Sequence, residues 1–166
     1  MNPDLFVIRP ATVHDVQAIL EFNAAMALET EQRRLDLDRL RKGTLALLTQ
    51  PQHGFYIVAE TSSGTIRAAV GQLMITFEWS DWRNGVFWWV QSVYVKPEWR
   101  RRGVYRAMHE YIAARAKKDS EVCGIRLYVE HQNHDAQTVY RRVGLSPSVY
   151  TVYEQDFILG PQRPNP

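Results

Sequence analysis

Three consecutive arginines, Arg100, Arg101 and Arg102, run into Gly103, and Arg106 follows shortly after. Upstream, Val93-Tyr94-Val95 has the β-branched and aromatic character of a strand, which Pro97 ends. Downstream, Val104, Ala107, Met108, Tyr111 and Ile112 recur at helical spacing, so a helix is predicted over 103–117. The first turn of a helix offers N–H groups with no intrahelical acceptor and a partial positive charge. Such an end binds phosphate; the arginines add charge, and Gly103 lets a ligand approach the backbone closely. The chemistry predicted is phosphate or pyrophosphate binding, although the same residues also suit a solvated basic turn before an ordinary helix. The loop lacks the Gly-Lys-Ser/Thr ending of a P-loop and the three glycines of a dinucleotide fingerprint. A different phosphate ligand is therefore expected.

Other elements must position this loop. Strands are predicted at 5–9, 55–59, 66–79, 86–95 and 124–130, with one or two more within 149–158. Ser80-Asp81-Trp82-Arg83-Asn84-Gly85 closes a hairpin through its Asn-Gly pair, and Thr61-Ser62-Ser63-Gly64 is a turn cluster. A helix opens at the capping-box-like Thr12-Val13-His14-Asp15, and a second covers about 36–48. Another helix runs over 134–143, with Gly144 placed for a left-handed cap. Hairpins beside crossover helices make an α/β fold: a mixed central sheet of about six to seven strands with helices on both faces. The length of 166 residues suits a single domain, here 1–160, with a proline-rich, disordered tail at 161–166. A net charge of +2 is too small to imply nucleic acid. No apolar run approaches the ~20 residues of a membrane span, and the N-terminus lacks a signal peptide's basic and apolar regions. The expected location is cytoplasmic. The single Cys123 forms no intrachain disulfide, and the five histidines form no metal-ligand set, so no metal is expected.

A second motif joins the loop. Leu127-Tyr128-Val129-Glu130 is followed by Asn133, Ala136, Tyr140 and Gly144. With Val95-x-Pro97 and Arg100-x-x-Gly103, this pattern resembles the GNAT superfamily of acyl-CoA-dependent N-acetyltransferases, in element order as well over about 5–158. Tyr105 departs from the small residue usual at that point of the loop motif. The resemblance implies acetyl-CoA as co-substrate and an amine as acceptor. It implies that backbone groups of Val93, Tyr94 and Val95 hold the pantetheine arm. The loop and first helical turn, from Arg100, Arg101, Arg102 and Gly103 to Val104, Tyr105 and Arg106, would hold the pyrophosphate. Asn133 would contact the pantetheine, or else serve as a helix cap. Tyr140 would protonate the leaving thiolate, or else be a half-buried core tyrosine.

Transfer to an amine needs a group to take the ammonium proton, directly or through water, because an alkyl ammonium has a pKa near ~10.4. A strand N–H near Val93 to Val95 suits the carbonyl oxygen that gains charge. Acids at the end of the first helix, Glu29 and Glu31, are the candidate bases and would attract a cationic acceptor; Glu130 stands at the end of its strand beside the same cleft. The hairpin carries Phe77, Trp79, Trp82, Phe87, Trp88 and Trp89. These suit core and subunit packing, or an aromatic wall for the acceptor at Trp79 and Trp82. A large apolar surface there also favours a homodimer. A non-catalytic acyl-CoA-binding module on the same fold is the alternative, since fold alone does not fix function.

Overall fold

A computed structural model describes residues 5–62 and 67–159. The predicted tail at 161–166, the end of the turn cluster at Ser63-Gly64 and the predicted strand start at Ile66 lie outside the described residues. Five strands form one sheet in the order β1-β2-β3-β4-β5: β1 (Phe6–Pro10), β2 (Phe55–Thr61), β3 (Ala69–Ser80), β4 (Gly85–Val95) and β5 (Val122–Arg126). The first four pair antiparallel, and β5 lies parallel to β4. The helices are α1 (Val16–Glu31), α2 (Leu37–Thr49), α3 (Val104–Ala116) and α4 (His134–Arg142).

Alternation along the strands divides the core between two faces. On one face Ile57, Ala59, Leu73, Ile75, Trp88 and Val90 meet Val104, Met108, Ile112 and Ala116 of α3, which recur every four residues. The neighbouring positions Tyr56 and Gln72 point to the other face, where they bond Asn23 of α1. A parallel β4–β5 pair requires a crossover, and α3 is that crossover. The chain therefore runs from the end of β4, through one connecting loop, to the N-terminus of α3.

Thr12 and Asp15 form the predicted capping box. Asp15 does more than cap, since Arg9 of β1 grips it through two N–H···O bonds of 2.8 Å and also donates to Glu60 of β2 at 2.7 Å. Burial alone would raise the Asp15 carboxyl; the Arg9 guanidinium and the Thr12 N–H hold it below the usual carboxylate range. Arg9 likewise lowers Glu60.

Two strand expectations are corrected. The strand expected at 124–130 runs instead from Val122 to Arg126. Its ladder with β4 ends at Trp89↔Arg126, because β4 changes register just beyond that point and draws away, leaving 127–130 no neighbour to pair with. Residues 149–158 form no strand and pair with none of the strands among the described residues. The described sheet thus has five strands rather than six or seven.

Gly54 opens β2 at φ +137°, and a Cβ there would sit 1.9 Å from the Ile75 carbonyl oxygen of β3. Gly54→Ala is expected to lower unfolding stability by about 1–3 kcal/mol or more, read as a lower urea midpoint. The carboxyls of Asp15 and Glu60 are depressed in the folded state, so their stabilisation is full near neutral pH and disappears as pH falls below about 4. Arg9→Met is expected to be less stable than the parent at pH 7 by about 2–3 kcal/mol. Urea melts at pH 7 and pH 3 should show that gap narrowing in acid.

Candidate functional site

The site begins with one extra residue in β4. Met74 of β3 faces Gln91, yet Gln72, two residues on, faces Tyr94. Ser92 and Val93 together oppose Leu73, which is a β-bulge. Ser92 sits at φ +49°, a left-handed conformation that costs a non-glycine residue energy. Buried side chains hold it. Gln72 Nε2 donates to the Ser92 carbonyl oxygen at 3.2 Å and to Asn23 Oδ1 at 2.8 Å. Asn23 Nδ2 donates to the Tyr56 hydroxyl at 3.3 Å, and that hydroxyl also meets the Ser92 side chain. Beyond the bulge β4 and β5 separate, so Val93, Tyr94 and Val95 have no strand beside them on the β5 side among the described residues. The result is a cleft with one wall of unpaired main chain.

The chain leaves β4 through a one-turn 3₁₀ helix, Pro97–Trp99, and reaches the arginines. Arg101 at φ +60° and Gly103 at φ +84° are both left-handed, and Gly103 is the N-cap of α3 with no side-chain cap. This curled backbone leads straight to the unsatisfied N–H groups of the first turn, at Val104, Tyr105 and Arg106. The four arginines have different neighbours. Arg100 donates to Glu29 at 2.6 Å and to the Val95 carbonyl oxygen at 2.9 Å, and lies over the Tyr94 ring. Arg106 pairs with Glu110 within α3 at 2.7 Å. Arg102 lies over the Trp99 ring, 5.4 Å from its centroid. No carboxylate is within ion-pair distance of Arg101 or Arg102 among the described residues.

Tyr105, the departure from the loop motif, turns its ring onto Tyr140 of α4 (5.5 Å between centroids) and His109 (6.1 Å). Burial pushes both tyrosine hydroxyls up, and the Tyr140 charge adds to the effect at Tyr105. Tyr140 is thus a protonated phenol at neutral pH, beside a Tyr105 hydroxyl that is buried without a hydrogen-bond partner. Asn133 caps α4, its Oδ1 accepting from the Ala136 N–H at 3.0 Å.

The acceptor-side residues are scattered. Both Glu29 oxygens are engaged, one by the Tyr94 hydroxyl at 3.0 Å and the other by Arg100. Glu31, at the end of α1, has Arg33 at 3.8 Å and lies close enough to act on Tyr128. Glu130 accepts from the Gln132 N–H within its own turn. Trp79 (57% exposed) and Trp82 (85%) stand at the far end of the β3–β4 hairpin. Trp79 shares the α3 face with Leu73 and Ile75, away from the cleft. What the cleft face does carry is Trp89, whose indole donates to Glu78, and Tyr128, whose ring is 5.8 Å from Trp89 and whose hydroxyl reaches Gln91 at 3.5 Å. Burial, with Glu154 and Glu31 nearby, pushes the Tyr128 hydroxyl up. The signal for this pair lay in strand alternation: Trp89 and Gln91 share a face, and the register with β5 adds Arg126 and Tyr128. No group of three or more His, Cys, Asp or Glu side chains among the described residues is placed to hold a metal ion.

The model of the acetyltransferase (GNAT) family matches residues 16–145, which include the bulge, the arginine loop and α4. The chain belongs to this family. A possible acetyltransferase from Clostridium difficile 630 is 42% identical, with 93% of this chain and 99% of that one aligned and a TM-score of 0.83. Two more distant structures share the fold. A predicted acetyltransferase from Clostridium acetobutylicum, solved with acetyl-CoA, is 14% identical, with 91% and 96% of the two chains covered and a TM-score of 0.72. Glucosamine-6-phosphate N-acetyltransferase from Arabidopsis thaliana is 15% identical, with 90% and 97% covered and a TM-score of 0.70. No curated protein matches the chain.

The network under the bulge has a measurable cost of removal. Asn23→Leu keeps the side-chain volume but deprives Gln72 and Tyr56 of a buried partner. The expected loss is about 1–3 kcal/mol of stability, read by chemical unfolding.

Proposed function

We propose that this GNAT-family protein transfers an acetyl group from acetyl-CoA to a primary amine, of a small molecule or peptide, by direct attack in a ternary complex. The observation that carries this reading is the unpaired edge of Val93–Val95 opening directly onto the Gly103-capped N-terminus of α3. An extended amide-containing arm needs main-chain partners, and a diphosphate needs N–H groups and positive charge. The two are met in succession along one stretch of chain.

Backbone groups of Val93, Tyr94 and Val95 bind the pantetheine arm as a strand would. Main-chain N–H groups from Arg101 to Arg106 bind the pyrophosphate, and the side chains of Arg101 and Arg102 supply the charge. Arg100 braces the loop against Glu29 and the Val95 carbonyl, which keeps the two halves of this surface in register. In the reaction the amine nitrogen forms a bond to the thioester carbon and the carbon–sulfur bond breaks. A main-chain N–H beside the bulge stabilises the carbonyl oxygen as it gains charge. Tyr140, a phenol kept neutral by burial, donates its proton to the departing sulfur. Glu31 takes the ammonium proton through water, since both oxygens of Glu29 are already bonded. The acceptor lies over Trp89 and Tyr128, with Glu31 and Glu130 attracting its positive charge.

Calorimetric titration with CoA and a panel of amines and peptides assayed for CoA release test this directly. Saturable CoA binding and amine-dependent thiol release are expected; binding with no turnover on any amine would leave a CoA-binding module instead. Gly103→Val forces a β-branched side chain into φ +84° at the loop. CoA affinity is expected to fall at least about tenfold, or about 1.4 kcal/mol; unchanged affinity would move the pyrophosphate elsewhere. Tyr140→Phe is expected to lower kcat by about 10²-fold with CoA affinity little changed. An unaltered kcat would remove Tyr140 from the acid role.

A further inference from the structure

A cavity of about 380 Å³ opens on the α3 face of the sheet, at the end where β2 begins. Small-molecule sites run from roughly 300 to 1,000 Å³. Leu47 and Leu48 of α2 form one wall. Phe55, Phe77 and Trp88, from three neighbouring strands, form the other, and Arg115 of α3 stands beside them. The three rings converge. The Phe55 and Trp88 centroids are 5.1 Å apart and edge-on at 78°, and Phe77 lies 6.3 Å from the first and 6.5 Å from the second. This wall is preformed: Trp88 is buried, and Gly54 brings the α2–β2 turn so close to the Ile75 carbonyl that no side chain fits between. Phe77 is nonetheless 40% exposed. The cavity is separate from the cleft. Trp88 and Trp89 are successive in β4 and point to opposite faces, Trp88 into the α3 core and Trp89 towards Tyr128.

Of the described residues that line the cavity, Arg115 alone is charged. Its guanidinium carbon is 5.0 Å from the Phe55 centroid and 5.7 Å from the Tyr111 centroid. No carboxylate among the described residues is within ion-pair distance of it. Asp119, one turn further on, accepts instead from the Glu121 N–H at 3.0 Å. On the α2–β2 turn, Gln50 and His53 bond each other at 3.0 Å. The Tyr56 hydroxyl is taken by Asn23. The cavity therefore offers three ring surfaces and one cation without an anion. We propose that it binds an aromatic carboxylate, the ring against Phe55, Phe77 and Trp88 and the carboxylate on Arg115. A guanidinium donates two parallel N–H···O bonds to a carboxylate, which fixes the orientation of the ligand as well as its charge. Rings pack on rings edge-to-face or offset, so three rings at different tilts suit a flat partner. An inorganic anion would leave those rings wet, and a neutral ring would leave the guanidinium unpaired. This inference does not depend on the acetyl-transfer reading.

The test titrates 2-naphthoate calorimetrically into the full chain, with and without excess CoA. Saturable binding of one equivalent is expected in both cases. 2-Naphthamide, which keeps the ring and loses the charge, is expected to bind at least about tenfold more weakly, and so is the non-aromatic acid decanoate. Arg115→Met, at an exposed position, is expected to weaken 2-naphthoate at least about tenfold and to leave 2-naphthamide unchanged. Leu48→Trp fills the cavity and is expected to abolish binding of both; Phe77→Ala, at a partly exposed position, is expected to weaken both. Urea midpoints identify which variants are folded. The proposal is overturned if the parent shows no saturable binding up to millimolar 2-naphthoate, or if Arg115→Met binds it as well as the parent does. Equal affinity for the acid and the amide removes the carboxylate from the assignment, and equal affinity for decanoate removes the ring. Displacement of 2-naphthoate by CoA would put the acid in the cleft and overturn the proposal as well.

Discussion

Two neighbouring strands can share a ladder only while they keep the same register, and the candidate site exists because β4 stops doing so at Ser92. The left-handed backbone of Ser92 is a strain of about 1–3 kcal/mol for a residue with a side chain. It persists because the groups around it leave no better choice. Gln72, fully buried, spends its amide on the Ser92 carbonyl and on Asn23. Straightening β4 would strand those polar groups in the core, at a cost comparable with the strain itself. The bulge and the polar network are therefore one unit. The opening between β4 and β5 is its consequence.

The rest of the cleft inherits its geometry from that opening. With no strand to follow on its β5 side, the end of β4 passes through Pro97–Trp99 into α3, and the crossover demanded by a parallel pair places the helix N-terminus at the mouth. Arg100 then bridges back across 71 positions of sequence to Glu29, tying the loop to α1. The same α1 supplies Asn23 to the bulge network. One helix thus secures both ends of the main-chain wall, the bulge from beneath and the arginine loop from the side.

Much of this order is visible in the residue pattern, because it depends on local rules. The four-residue spacing of Val104, Met108 and Ile112 marks the buried face of α3. Asn84-Gly85 marks the hairpin, where Asn84 is indeed left-handed at φ +45°. Thr12 and Asp15 mark the capping box. Gly103 marks the place of close backbone approach before the helix, and the structure adds that it is left-handed there at φ +84°. What the pattern does not carry is non-local pairing. Composition alone makes Leu127–Glu130 and Val149–Ile158 good strands, but a strand needs a neighbour, and β4 withdraws from one while the other pairs with none among the described residues. The aromatic hairpin shows the same limit. Trp79, Trp82 and Trp89 look equivalent along the chain, and only the register across β3, β4 and β5 puts Trp89 beside Tyr128 and leaves the other two at the far end. Asn133 is open to two readings because one amide can both cap a helix and bond a ligand; its oxygen accepts from the Ala136 N–H, which does not occupy its NH2 group.

The arginine loop poses the last physical question, which is why so much like charge is stable in one place. Four guanidinium groups within seven residues repel one another, and a loop that held them all bare would splay. The structure divides them. Glu29 and Glu110 neutralise Arg100 and Arg106, at the two ends of the run. Arg102 rests its planar head over Trp99, an attraction that needs no anion. The charge that is left without a carboxylate is concentrated on Arg101 and Arg102, in the stretch where Arg101 and Gly103 are left-handed and the chain turns into α3. On the proposed reading, an anion drawn there would meet two uncompensated cations and a helix terminus together, with the paired arginines already holding the loop in shape. Removing Glu29 would therefore do more than expose a charge: it would release the brace that keeps the end of β4 and the start of α3 on one surface.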